Sequence, residues 1–149
     1  MATYKSQQVT DEMPVSSHGL GSTRVARFPV SLTAAVTTAD VIQFGYVPQY
    51  ARVVDAWLQA TDMDTGTPTL TFNVGDAGDV DRLFAASTIG QAGGVVRMSV
   101  TTGFGYRYDT AGGTLITGAI ANNPATGVAG TLTLCITYVV EDDGVGYPD

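Results

Sequence analysis

The sequence predicts an all-β domain, a jelly-roll-like β-sandwich of about eight strands with one short helix and an extended N-terminal arm. Three observations carry this expectation. Apolar residues recur at every second position through most of the chain between Arg24 and Val140, the period of a strand with one buried face. Clusters of Gly, Asp and Pro punctuate these runs as turns do. The chain has 149 residues, enough for one core, because a chain of that size buries about 68–70% of its unfolded surface, but short for two domains.

The strands follow in order. Ala26, Phe28, Val30 and Leu32 fall on one face of the first, and Pro29, which cannot donate to a ladder, marks it as an edge. Ile42, Phe44 and Tyr46 form the next alternating set, which Pro48 ends. From Arg52 to Ala60, Val54, Ala56 and Leu58 oppose Val53, Asp55, Trp57 and Gln59. A turn at Asp62–Gly66 leads into the clean alternation of Thr69 to Val74. One helix is expected next, capped by Asp79, with Val80, Leu83 and Phe84 at i, i+3 and i+4, ending near Ser87. The glycines of Gly90–Gly94 join it to further strands: Val96, Met98 and Val100; Phe104, Tyr106 and Tyr108; Leu115 to Ile120 around Gly118; and Leu132, Leu134, Ile136, Tyr138 and Val140. With so little helix available, a second sheet is the natural cover for each apolar face. An immunoglobulin-like strand order fits the same pattern, since alternation does not reveal order. The lack of an internal repeat disfavours a propeller or solenoid.

Residues 1–23 are expected to form an arm. They hold few apolar residues, no period and a breaker-rich stretch from Pro14 to Gly21, so they are disordered or laid along something else. Residues 24–141 form the sandwich, and the acidic, Gly-rich tail of residues 142–149 is expected to fray.

Composition narrows the function. Charged residues are 14% of the chain, well below the roughly 25% of ordinary globular proteins. The outward strand faces are rich in Thr rather than Lys or Glu, which suits surfaces covered by copies or partners, although Thr also favours strands for its own sake. Net charge is −7, and Lys5 is the sole lysine. No basic patch exists to neutralise phosphates, so no nucleic-acid partner is expected. Cys135 is the only cysteine, which excludes an internal disulfide or a Cys-based zinc site. The N-terminus lacks a signal-peptide core and no run approaches the length of a membrane span. Synthesis in the cytoplasm and no membrane partner are the expectations.

The candidate chemistry is thin. Asp76, Asp79 and Asp81, with Asp62 and Asp64, could hold Ca²⁺, but their spacing matches no calcium loop. A turn followed by a helix N-terminus, with Asp81 pairing to Arg82 or another arginine, explains them better. No two carboxylates are held across a cleft as a glycosidase needs. His18, the only histidine, lies in the arm, away from any Ser–His–Asp arrangement. The Gly90–Gly94 stretch lacks the lysine of a phosphate loop. No catalytic residue, metal or cofactor is expected. Trp57 stands out among the aromatics because it shares a face with Asp55 and Gln59, and Trp57 and Asp55 are the candidate subunit-interface residues.

From Asp40 to Val140 the chain resembles a small virion structural protein of tailed bacteriophages, of the head decoration (cement) type. The residues that carry this are Phe44-Gly45-Tyr46-Val47-Pro48, the strand Arg52 to Leu58, the run Leu70 to Asp76 with Asp81-Arg82-Leu83-Phe84 after it, and Gly130-Thr131-Leu132-Thr133-Leu134. The resemblance implies a homotrimer on the capsid surface that braces the lattice, with the major capsid protein as partner and no catalytic residues. The arm would then lace onto a capsid subunit through Tyr4, Lys5, Val9 and Met13. The alternative is a receptor- or glycan-binding part of a phage tail or fibre, marked by an aromatic–carboxylate pocket near Trp57 or Tyr106.

Overall fold

The computed structural model describes residues 1–10 and 22–141. Its strands are β1 (Thr3–Lys5), β2 (Thr23–Leu32), β3 (Val41–Val47), β4 (Ala51–Ala60), β5 (Thr71–Asp76), β6 (Asp79–Ser87), β7 (Gly94–Arg97), β8 (Arg107–Tyr108), β9 (Thr114–Asn122) and β10 (Gly130–Val140). A single helical turn, α1 (Gln7–Thr10), and a 3-10 turn at Ile89–Gln91 complete the described elements.

Two sheets face each other. One runs β1-β3-β9-β5-β6 and the other β2-β10-β4-β7, with β8 also paired to β4. Without the short β1 and β8, the remaining strands alternate between sheets in the jelly-roll manner except at the β5–β6 hairpin, with the first beside the last and the second beside the last but one. Apart from the β1–β3 pair, every pairing is antiparallel. The core lies between the sheets. Phe28, Val30 and Leu32 of β2, Leu58 of β4 and Leu132, Leu134, Ile136 and Tyr138 of β10 meet Ile42, Phe44, Phe72, Val74 and Ile116 from the other sheet. Each such large side chain contributes about 1.5–3 kcal/mol on burial, set against the entropy of ordering the chain. Gly118 sits mid-strand because a Cβ there would lie 3.0 Å from the Phe44 ring. β2 is an edge strand, as Pro29 predicts.

Four expectations need correction, and β-bulges account for most of them. Asp79–Ser87 is a strand, not a helix. It pairs with β5 through a hairpin closed at Asp76 and Asp79, and the register shifts twice along the pair. These shifts place apolar residues at 80, 83 and 84, which imitates a helical stripe. Val80, however, is exposed while Leu83 and Phe84 are buried, so the three do not share one face. In β4 the register against β10 shifts between Asp55 and Val53. Val54 is the extra residue and faces out, while Val53 joins Ala56 and Leu58 inside. A like shift at Phe44 in β3 turns Tyr46 outward and Val47 inward. Finally, β7 ends at Arg97. Residues 101–105 turn, leaving Phe104 exposed, while Tyr108 is buried with Tyr106 edge-on to it at 5.0 Å between centroids.

The first ten residues lie on the sandwich itself. β1 runs parallel to β3, with Thr3, Tyr4 and Lys5 beside Val41, Ile42 and Gln43. Asp40, buried, accepts hydrogen bonds from the Ala2 amide (2.6 Å), the Thr37 amide (2.9 Å) and the Thr37 hydroxyl (3.2 Å). The Ser6 amide donates to the Gln43 carbonyl at 2.9 Å. Met13, the remainder of residues 1–23 up to Gly21, and residues 142–149 lie outside the described residues. At the other end of the chain, Arg52 clamps Glu141 through Nε (2.5 Å) and Nη2 (2.9 Å), which ties the end of β10 to β4. No helix among the described residues is long and apolar enough to cross a membrane.

Candidate assembly surface

Strand pairing lays out the outer face of the β2-β10-β4-β7 sheet as rows, because directly paired residues in an antiparallel sheet point to the same side. One row runs Arg27, Cys135, Trp57, Arg97. Beside it run Pro29, Thr133, Gln59, Val95 on one side and Val25, Thr137, Asp55 on the other. No Lys or Glu stands in these rows. Val25 and Val95 are 64% and 60% exposed. Trp57 is half-buried at the centre. Asp55 accepts from the Ala56 amide at 2.9 Å and forms an ion pair with Arg97.

Cys135 faces outward in this row yet is buried beneath its neighbours. Burial pushes its thiol pKa up, and nearby Arg27 opposes that rise. A protonated thiol of this kind is not a nucleophile. The Trp57–Asp55 pair expected from sequence therefore shares one face, and Cys135 and Arg27 join it.

The arm residues lie elsewhere. Tyr4 is half-buried against the core, Lys5 is exposed and Val9 is half-buried in α1. Tyr4 and Lys5 belong to β1 at the edge of the other sheet, with Val9 in α1 beside β3, and none of them to the Trp57 face.

The acidic segments serve the fold. Asp76 accepts from the Gly78 and Asp79 amides (2.8 and 3.1 Å) and from Arg82 Nε at 2.6 Å. Arg82 also stacks over the Tyr106 ring, 3.6 Å from its centroid. Arg82 is thus paired to Asp76 and, at 3.7 Å, to Asp79, rather than to Asp81. Asp81 instead hydrogen-bonds Asp79, and this contact, with burial and like charge, raises its pKa. Asp64 is buried in a loop crossing. It accepts from the Thr69 and Leu70 amides (2.6 and 2.9 Å) and the Thr126 amide (2.9 Å). Burial would raise its pKa, but these donors and Ala125 outweigh it and hold the carboxyl at about 2. Among the described residues, no group of three metal-ligating side chains forms.

A cleft of about 350 Å³ opens between β6 and β7, lined by residues that include Phe84, Ile89, Val95 and Val96, with Arg97 as its one charged group. It has no carboxylate, His or Cys to move a proton. Sequence reasoning missed Asp40, and it singled out Asp64 only as a possible cation ligand, not as the acceptor that joins two loops. For Asp40 a signal existed, Thr37 three residues before it. For Asp64 none did, since a decisive donor comes from Thr126, 62 residues away.

No family model matches the chain, and no curated protein matches it. Solved structures do. A chain in the capsid of Ralstonia phage GP4 is 33% identical, with a TM-score of 0.84, over 95% of this chain and 99% of that one. A chain in the cyanophage Pam1 capsid asymmetric unit is 36% identical, with a TM-score of 0.75, over 86% and 92%. A chain in the acidic stable capsid structure of Helicobacter pylori bacteriophage KHP30 shares the fold at 13% identity and a TM-score of 0.53. Two near-full-length relatives above 30% identity place this chain in their family, that of phage virion structural proteins found in capsids.

Proposed function

We propose that this chain is a capsid decoration protein that binds the outer surface of a phage capsid and stabilises its lattice as a homo-oligomer, most simply a homotrimer. The observation that carries the reading is the near-full-length likeness to two chains of phage capsids. It favours a capsid location over a tail or fibre. The action is mechanical. The chain bridges neighbouring copies of the major capsid protein and raises the energy needed to part them. No catalysis is involved, and a net charge of −7 keeps the chain off packaged DNA.

Two surfaces support this role. The Trp57 face is broad, mixes exposed valines with an aromatic and arginines, and is free of Lys and Glu, the composition of a surface that a subunit can cover. The second is the edge at β1, where exposed Lys5 stands beside Tyr4 at the end of a sheet. β1 ends its sheet among the described residues, and a sheet edge suits contact with the capsid protein through Tyr4, Lys5, Val9 and Met13. The test is reconstitution. Capsids lacking this chain are mixed with purified protein, and the temperature of DNA release is measured. Decoration predicts binding and a higher release temperature. Capsids that neither bind the protein nor gain stability would overturn the proposal.

A further inference from the structure

We propose that copies of this chain join head to tail, with the acidic, apolar corner at the β5–β6 turn and the 101–105 loop of one copy seated on the Trp57 face of the next. The inference rests on the reading of the chain as a self-associating virion part. It goes further by naming the two surfaces that meet.

The two surfaces are complementary in charge. The chain carries 14 acids against 7 bases, yet the Trp57 face holds two arginines and one acid. Arg27 is exposed and forms no ion pair among the described residues. Among the described residues, Arg97 is answered only by Asp55. The corner has the opposite imbalance. Asp79 and Asp81 stand side by side, and the nearest guanidinium, that of Arg82, is held by Asp76 at 2.6 Å against 3.7 Å to Asp79. A cation from outside the chain would relieve the Asp79–Asp81 repulsion.

The surfaces also match in apolar character. Val80 is 56% exposed on the turn and Phe104 is 47% exposed on the adjoining loop. That loop is packed tightly to β6, since a Cβ on Gly103 would lie 2.5 Å from the Arg82 carbonyl oxygen. Opposite them, Trp57 supplies apolar area between the two arginines, and Val25 and Val95 add to it beside them on β2 and β7. Aromatic and arginine side chains together are the composition of an interface centre.

Geometry makes the contact head to tail. β6 is an edge strand of one sheet and lies across the cleft from β7 of the other, whereas β2, which carries Arg27, is the opposite edge of that second sheet, packed beside β1 and β3 at the far side of the sandwich. A contact between two different patches repeats from copy to copy and closes into a ring when the rotation allows. Two Trp57 faces laid together would instead gather four arginines against two aspartates.

The experiment is a charge swap on the full chain. Sedimentation of the wild-type protein, R27E, D81R and the double variant gives the association constant of each at low and high salt. Both sites are at least partly solvent-accessible, so melting temperatures should stay close to wild type, and Arg27→Gln and Asp81→Asn serve if a reversal fails to fold. The expected result is that each reversal weakens association about tenfold, that salt weakens the wild type, and that the double variant recovers most of the loss. Singles that associate like wild type, a double variant that stays weak, or a wild type that is monomeric at every concentration would each overturn the head-to-tail contact. Capsid binding of the same proteins is measured in parallel. Wild-type protein that binds capsids while the swap fails refutes this contact alone, whereas wild-type protein that binds no capsid refutes the decoration reading.

Discussion

Trp57 of β4 stands directly opposite Cys135 of β10 on the outer face of one sheet, and the thiol is covered while the indole remains half-exposed. Its neighbours in the row are Trp57 on one side and Arg27 on the other. Cys135 in the folded chain should thus react slowly with a thiol reagent, since burial also keeps it protonated. Trp57→Ala should raise the labelling rate about tenfold or more while the fold is kept. The same substitution should weaken self-association, read by light scattering. Labelling that stays at the wild-type rate would mean that the shield is not the indole.

Asp64 ties the loop after β4 to the loop before β10. Its folded-state pKa of about 2 lies below its ordinary value of 3.8. A depressed carboxylate pKa adds stability that is fully present above the unfolded value and is lost as pH falls through the folded one. The melting temperature should therefore drop between about pH 4 and pH 2, and Asp64→Asn should flatten that part of the profile. At pH 7, Asp64→Ala should lower the melting temperature by roughly 5 °C or more, because several backbone amides lose their acceptor. A profile identical in wild type and Asp64→Asn would contradict this role.

The Asp76–Arg82 pair is buried on both sides, with side-chain exposures of 6% and 11%. Removing one partner strands the other charge. Asp76→Asn should cost about 3 kcal/mol in a denaturant titration. A change within about 0.5 kcal/mol would show that the pair is not what holds the hairpin to the Tyr106 loop.

Asp40 gathers the Ala2 amide and both polar groups of Thr37. Asp40→Ala should release the N-terminal segment while leaving the sandwich intact. Hydrogen exchange at Thr3–Ser6 should then accelerate at least tenfold, with exchange in β10 unchanged. Equal acceleration in β10 would mean that Asp40 supports the whole fold.

Alternation made the sandwich legible in the sequence. Phe28, Val30 and Leu32, or Leu132, Leu134 and Ile136, can be placed inside from spacing alone because their strands run without a register shift in that stretch. Val53, Tyr46 and the residues of β6 could not, because each lies at or just beyond a bulge that moves one residue to the other face. A bulge is decided by the partner strand, so it leaves no local pattern. Of the assembly surface, Trp57 and Asp55 were visible as polar-face neighbours on one strand. Arg27 and Cys135 were not, since only the pairing of β2 and β4 with β10 brings them into the same row. The acids misled for a similar reason. Asp76 and Arg82 are six residues apart, and a helix would have placed them differently from the hairpin that joins them.

The most direct measurement of the decoration role is an electron cryomicroscopy reconstruction of the intact particle with this chain located in it. The account predicts density for the jelly roll on the outer surface of the shell, in several copies around each site where capsid subunits meet. Density confined to the tail, a fibre or the inner face of the shell would contradict it.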